Sequence, residues 1–287
     1  PKLQADFLSK LPSASNVNNF DVGNSSAARV LNTAGYRRNQ TDQNNRDQFT
    51  FRADYEASAR HRFEGVFSYF KETDDRTDLD AVSERPLVYT NSDPKRFALA
   101  WRWLASSKFQ NEIRGGANLA PVQFESDWDY SGLGVVYNTQ LSLANPLGGY
   151  GTGGATAAFQ PQGRYTDTYQ ISDNASLVLG NHELQMGGSW QRNRVNPYNY
   201  VGIYPTVNFG FSAATPAGVA LTSAEFPGGI SAADLASANA LTAFLGGIVT
   251  STQRTFNVTS ADSGYVPGVP SDERYTLDNI AAYVQDN

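Results

Sequence analysis

The sequence contains no cysteine, one methionine and only two histidines, His61 and His182. Without cysteine there is neither a disulfide framework nor a thiol nucleophile. No run of roughly 18 consecutive apolar residues occurs, which excludes a membrane-spanning helix. Charged residues make up 17% of the chain and its net charge is -6, with no stripe of Lys and Arg. This balance argues against a nucleic-acid partner, because no basic surface is available for phosphates.

Signatures of catalysis are also missing. The sequence has no Gly-x-Ser-x-Gly elbow and no His-Glu-x-x-His pair. His61 and His182 both fall in predicted short turns, where exposed side chains are the rule. The glycine-rich tract at 148–154 has no strand before it and no helix after it, so it is interpreted as a loop tip rather than a nucleotide loop. We therefore expect neither catalysis nor a cofactor.

One stretch resembles the first half of a calcium loop. Asp127, Asp129 and Ser131 supply oxygen atoms at positions 1, 3 and 5, and Gly132 follows at position 6. Position 12 is Asn138 instead of the bidentate Glu that such loops use. A solvated loop is therefore favoured, and these three residues are kept only as weak calcium candidates.

The most informative stretch is 97–103, in which the side chains alternate strictly. Phe97, Leu99, Trp101 and Trp103 fall on one face of a strand, and Arg96 and Arg102 fall on the other. A soluble sandwich would bury such an aromatic face in a core. A transmembrane barrel would turn it to lipid and leave the charged face in a wet lumen.

The same alternation recurs in two further hairpins, with predicted turns at 58–61 and 179–181, and in a last strand from 274 to 287. In the barrel interpretation, the residues predicted to face lipid or the interfacial girdle are Phe49, Phe51, Tyr55, Phe67, Phe97, Leu99, Trp101, Trp103 and Trp190. Those predicted to face the lumen are Arg52, Asp54, Glu56, Glu64, Arg96, Arg102, Glu112 and Arg114. A hydrated wall of mutual ion pairs explains the second set without a substrate.

Short turns alternate with long loops, as in outer-membrane barrels that keep their short turns on the periplasmic side. Residues 1–45 are predicted to be an extracellular loop region, and 46–287 part of a barrel with long loops at about 71–94, 119–164 and 193–273. One short helix is predicted after Ser231, a suitable N-cap, and ends near Gly246. The strand from Ile248 then lies outside the wall, which leaves about seven wall strands. The predicted fold class is therefore all-β, a segment of a large antiparallel transmembrane β-barrel with long extracellular loops.

Four short motifs, in their order and spacing, resemble one family. They are Asn-Glu-Ile-Arg-Gly at 111–115, Gly-Asn-His-Glu-Leu-Gln-Met-Gly-Gly at 180–188, Leu-Thr-Ala-Phe-Leu-Gly at 241–246 and Tyr-Val-Gln-Asp-Asn at 283–287. Together they resemble the TonB-dependent outer-membrane receptors of the Oar-like branch, weakly over 11–20 and well over 46–287. The resemblance implies a receptor that binds a ligand at its outer loops and imports it through a plugged barrel.

The resemblance also implies membrane lipid as a partner, an unidentified ligand, and the TonB energy-transducing complex, contacted through an N-terminal part that this sequence does not contain. Position 1 is Pro and no leader follows, so we expect an excerpt of a longer chain. The expected location is the bacterial outer membrane. The alternative is a secreted or cell-surface β-rich adhesin or filament protein, in which the aromatic faces would pack together.

Overall fold

The computed structural model of the protein describes residues 5, 13–19, 35, 37, 39–78, 88–126, 140–143, 161–203 and 205–287. Most of them belong to strands, and one α-helix, α1 (Ala232–Gly246), lies late in the chain. The strands are β1 (Asn44–Ser58), β2 (His61–Asp75), β3 (Val88–Ser92), β4 (Lys95–Ser106), β5 (Phe109–Ser126), β6 (Gln140–Leu143), β7 (Gln162–Leu179), β8 (His182–Asn199), β9 (Thr206–Phe209), β10 (Val249–Gln253), β11 (Phe256–Asn257), β12 (Val266–Pro267), β13 (Ser271–Asp272) and β14 (Tyr275–Asp286).

A single antiparallel sheet, here called the wall, contains the three predicted hairpins β1–β2, β4–β5 and β7–β8. Strand β2 pairs with β4, β5 pairs with β7, and β8 pairs with β14. Strands β3 and β13 prolong β4 and β14 along the same neighbours. In the described part of the chain the wall therefore has seven strand positions, as predicted.

The break between β3 and β4 occurs at Asp93 and Pro94. Proline has no backbone N–H to give to the ladder, but its carbonyl accepts a hydrogen bond from the Phe70 N–H at 3.1 Å. A similar break separates β13 from β14, where the Glu273 N–H donates to the Pro197 carbonyl at 3.1 Å. Both interruptions keep contact with the neighbouring strand, so the wall continues past them.

The register assigns every wall residue to one of two faces, because residues paired across antiparallel strands point the same way. Phe51 pairs with Phe67 and Phe67 with Phe97, which begins one row of the face called here the aromatic face. Arg102 pairs with Glu112, and both lie on the opposite face, called the polar face. For the residues named in the sequence analysis, the two faces separate aromatic from charged side chains as the alternation predicted.

The predicted loops at 71–94, 119–164 and 193–273 are wrong at their boundaries, because strands occupy part of each. β2 continues to Asp75, β5 to Ser126 and β8 to Asn199, and β3 lies inside the first predicted loop. A strand needs only about 9–11 residues to cross a bilayer, whereas β5, β7 and β8 each have 18. Beyond Leu119, β5 places Val122 and Phe124 on the polar face and Gln123 and Glu125 on the aromatic face, so the alternation of the hairpin is reversed there.

Beyond β8 the chain builds a small substructure apart from the wall. β9 pairs with β10 and, in parallel, with β6. Ser231 caps α1 by accepting the Asp234 N–H at 3.0 Å, as predicted. The last helical residue is Gly246, and the left-handed cap, with φ 68°, is the next residue, Gly247. The ring of Phe244 is fully buried and meets Phe209 edge-on at 5.2 Å. The predicted strand from Ile248 is present as β10, outside the wall.

Helix α1 is the longest helix among the described residues, and none of the described helices is long and apolar enough to cross a membrane. Buried apolar side chains are few in the described part of the chain. They are Val88, Ile203, Phe209, Ala243 and Phe244, and all but Val88 belong to the substructure beyond β8. The wall thus carries its large apolar side chains on an uncovered face, with Leu99 67% exposed and Ile280 81% exposed.

Candidate functional site

Near the short turns, the polar face carries a network of ion pairs on β1 and β2. Arg52 contacts Asp54 at 2.8 Å and Glu64 at 3.4 Å. Arg62 contacts the same Glu64 at 3.4 Å and reaches Glu56 at 4.0 Å. The carboxylates and guanidinium groups alternate in space because their residues alternate along paired strands, and the two arginines compensate two of the three negative charges.

A second network on β4 and β5 continues the first one. Arg102 donates to Glu112 through Nε at 3.0 Å and through a terminal nitrogen at 2.7 Å. Arg114 donates to the other oxygen of the same carboxylate. Partly exposed pairs of this kind contribute about 0–1 kcal/mol each. They therefore set the charge of the face more than its stability.

Further from the turns, the polar face changes from charged to neutral hydrogen-bonding groups. One row across the wall contains Thr50, Ser68, Arg96, Asn118, Thr168 and Asn193. Thr50 and Ser68 share a hydrogen bond of 3.2 Å, and Thr168 donates to Asn193 at 2.9 Å. Arg96 donates to Asn118 at 3.5 Å. This row is largely polar, whereas the part of the face nearer the loops also carries apolar residues, among them Phe70, Val122 and Phe124.

The aromatic face contains a run of rings near the short turns. Phe63 lies 6.1 Å from Trp101, which lies 6.2 Å from Trp103, and His61 stacks on both indoles. The Trp101 indole N–H donates to His61 Nδ1 at 3.3 Å. His61 is therefore part of this aromatic run, whereas the sequence suggested only an exposed turn residue.

The structure brings together both predicted sets of face residues. All eight charged residues predicted for the lumen share the polar face. The nine residues predicted for lipid or the girdle share the aromatic face, with Trp190 placed between Ile171 and Ile280. Which face meets lipid stays a prediction. The weak calcium candidates Asp127, Asp129 and Ser131 lie outside the described residues.

Two contacts escaped the sequence analysis. The Tyr283 ring lies over Gly187, and its hydroxyl donates to Asn174 at 3.0 Å on the polar face. Asp173 lies on the aromatic face, where the Asn111 side chain donates to it. Asp173 lies two residues after Ile171 on the same strand, so alternation alone could have assigned it to the aromatic face. The Tyr283 contact could not be predicted in this way because it depends on the register of three strands.

The polar contacts form no compact chemical centre. Within the described part of the chain, no group of three or more His, Cys, Asp or Glu side chains could hold a metal ion. A depression of about 370 Å³ near the turns is lined by groups that include Arg102, Glu112, Asn174, Glu183 and Tyr283. Such a surface can hydrogen-bond a passing solute or water but holds no nucleophile aligned with a base.

Comparison with solved structures finds the crystal structure of the outer membrane transporter YddB from Escherichia coli. The identity is 11% and the TM-score 0.41, over 91% of this chain and 26% of that one. The present chain thus spans about a quarter of the length of that transporter. No curated protein matches the sequence.

A sequence family described as an outer membrane beta barrel domain matches residues 6–287. The match agrees with the antiparallel wall and its two chemically distinct faces, and with the one short α-helix among the described residues. It confirms the predicted fold class and the predicted location in the outer membrane. The chain therefore belongs to the outer membrane β-barrel domain family.

Proposed function

We propose that the chain is part of a TonB-dependent outer-membrane receptor of the Oar-like branch. In this proposal the outer loops bind a ligand, and the ligand passes along the polar face through the barrel. Energy comes from the TonB complex, whose contact the family resemblance assigns to an N-terminal plug. The aromatic face meets membrane lipid, and the chain itself catalyses no reaction.

The observation that carries the proposal is the difference between the two ends of the wall. At one end, three turns of two residues join β1 to β2, β4 to β5 and β7 to β8. All the longer connections lie at the other end, and one of them has its own buried core around Phe209 and Phe244. A folded loop of this kind can present a fixed binding surface, whereas the two-residue turns cannot.

The polar face supplies the second support. Its ion pairs and hydrogen-bonded amides follow the wall from the turns to the row of Thr168 and Asn193, so a hydrophilic surface accompanies this part of the strands. The motifs at 111–115, 180–188, 241–246 and 283–287 support the finer assignment to the Oar-like branch.

The proposal is tested with the full-length gene, deleted and restored in its own host. Depletion of individual solutes from the medium is compared between the two strains, with and without TonB. We expect at least one solute to be depleted only when both the gene and TonB are present. A restored copy carrying Phe244→Ala should lose depletion because the core of the loop is emptied, whereas Leu245→Ala, at a half-exposed neighbour, should keep it.

The outcomes separate the parts of the proposal. Gene-dependent depletion that persists without TonB would overturn the energy source but keep the import function. No gene-dependent depletion, combined with gene-dependent attachment of cells to a surface, would instead favour the adhesin.

A further inference from the structure

The arginines of the polar face fall into two groups. Towards the turns, Arg52, Arg62, Arg102 and Arg114 each contact a carboxylate within 4 Å. At the far end of β1, Arg46 contacts Glu72. Each of these arginines thus has a carboxylate partner in the protein, with Glu112 shared by Arg102 and Arg114.

Arg96 and Arg164 differ from the others. Neither has a carboxylate within 4 Å among the residues that the structure describes, and both side chains are exposed. The one side-chain hydrogen bond of Arg96 runs to the neutral Asn118 at 3.5 Å, which is at the limit for such a bond. Arg164 lies on the same face, four residues further along β7 from Thr168, the row partner of Asn118. The polar face thus has excess positive charge where its ion pairs end.

A depression of about 270 Å³ lies beside Arg96, between β4, β5 and β7. The small residues Ala98 and Gly116, here called its floor, line it together with groups that include Asn118, Thr168 and Gln170. A Cβ on Gly116 would lie 2.5 Å from the Phe97 carbonyl oxygen, so only glycine fits there without a shift of the backbone. Because the floor residues are small, a solute can approach the Arg96 guanidinium and the amides of Asn118 and Gln170 from the same side.

We propose that Arg96, with Asn118 and Thr168, forms a subsite for a carboxylate or phosphate group of the transported ligand, and that Arg164 attracts the same group nearer the loops. A guanidinium fork matches the geometry of either anion, and an amide and a hydroxyl add neutral donors beside it. This inference rests on the proposed import function, because it assigns the chemical class of the ligand that uses the polar face.

The test measures the local potential directly and needs no knowledge of the ligand. Cysteine is introduced at Ala98, an exposed position on the floor, in full-length protein in detergent with no other cysteine. The rate of modification of this cysteine is measured with an anionic reagent, sulfonatoethyl methanethiosulfonate, and with a cationic one, trimethylammonium-ethyl methanethiosulfonate. Each rate is divided by the rate of the same reagent with a free small thiol. The ratio of the anionic to the cationic value is then the measured quantity. Both reagents attack the same thiolate, so their ratio is independent of the pKa of that thiol.

We expect an anionic-to-cationic rate ratio of at least about three, because a local positive potential concentrates anions. Arg96→Gln should return the ratio to about one. Arg102→Gln, which removes an arginine already paired with Glu112, should change the ratio less. Millimolar inorganic phosphate should slow the anionic reagent in the protein with Arg96 and have less effect in the Arg96→Gln protein. Cysteine at Ala281, on the same face with Ser189 as its partner, provides the reference position.

A ratio near or below one at position 98, or a ratio that Arg96→Gln leaves unchanged, would overturn the subsite. Failure of both reagents to react would overturn it too, because another part of the protein would then cover the floor. The ratio of the two rates reports the local electrostatic potential of the polar face, so it does not depend on TonB or on uptake. Loss of the ratio with uptake intact would reject the subsite alone, and loss of uptake with the ratio intact would reject the import function alone.

Discussion

Leu99 and Ala100 are neighbours on β4 that point to opposite faces of the wall. Leu99 is 67% exposed and pairs with Gly65 and Gly115 on the aromatic face. Ala100 pairs with Glu64 and Arg114 on the polar face, where the surrounding charges balance. The two positions share one depth in the membrane and differ only in direction.

If the aromatic face meets lipid, Leu99→Arg should destabilise the barrel by about 2–4 kcal/mol, since a charge then lies in hydrocarbon near the midplane. Ala100→Arg should cost less than about 1 kcal/mol because its side chain stays hydrated between charges of both signs. The measurement is urea unfolding of the full-length protein in phospholipid vesicles. Equal losses for the two variants would contradict the predicted orientation of the faces.

Asp78 follows the end of β2, outside the spanning strands. Arg76 donates to its two carboxylate oxygens at 2.8 and 2.7 Å, which lowers the pKa of Asp78 below its usual value. The ion pair therefore stabilises this loop fully above the ordinary aspartate pKa of about 3.9, and the contribution is lost as the pH falls through the lowered value. No change is expected between about pH 5 and pH 8.

Arg76→Gln should raise the pKa of Asp78 towards the ordinary range, as followed by carbon NMR of the side-chain carboxyl in the full-length protein. Glu225 is the internal control. Its pKa is also lowered, but by hydrogen bonds from Thr222, so it should not respond to the substitution. An unchanged pKa at Asp78 would show that the Arg76 contact does not form in solution.

At the scale of elements, the pairing of β8 with β14 depends on a close fit around Gly187. A Cβ at this position would lie 2.6 Å from both Tyr283 Cε1 and Asn174 Oδ1, and 2.7 Å from the Asp173 carbonyl oxygen. The Tyr283 ring can cover the glycine and reach Asn174 only because no side chain intervenes. Three strands are thereby held in one register.

Gly187→Ala should therefore displace Tyr283 and destabilise this part of the wall by about 1–3 kcal/mol, the usual cost of overpacking. Gly188→Ala is the matched control, because its Cβ would point to the other face and lie 3.4 Å from the nearest atom, the Ala281 carbonyl oxygen. Hydrogen exchange of the β14 amides is the measurement. Faster exchange in both variants alike would point to a general loss of strand propensity rather than to the Tyr283 contact.

The elements that the sequence predicted are those with a repeating signal. Alternation identified the three hairpins, and the Ser231 cap identified the start of α1. The strand ends past Lys71, Leu119 and Arg192 could not be predicted, because the alternation that marks the two faces is lost or reversed there while the backbone ladder continues. β6 and β9 are too short and too distant in sequence for a pattern to reveal their parallel pairing. Alternation predicted that the charged residues of the ion-pair network share one face. That Arg96 has no carboxylate partner among the described residues could be seen only from the register of the strands.

At the scale of the whole molecule, the wall has two unlike ends and two unlike faces, and together these determine its orientation in the membrane. The three turns of two residues lie at one end, with Ser106 and Asn181 beside or within them. Asp75 is the last residue of β2, at the other end of the wall, and Thr215 belongs to the long connection after β8. Outer-membrane barrels place short turns in the periplasm and long loops outside.

We therefore predict that cysteine at Asp75 or Thr215 reacts with a membrane-impermeant maleimide in intact cells, whereas cysteine at Ser106 or Asn181 reacts only after the outer membrane is opened. The variants are made one at a time in the full-length protein, and labelling of detergent-solubilised samples shows that each thiol can react. An inverted pattern, with Ser106 and Asn181 labelled in intact cells, would reverse the orientation. The folded loop around Phe244 would then face the periplasm, where it could not capture a ligand from outside, and the import function would have to be abandoned.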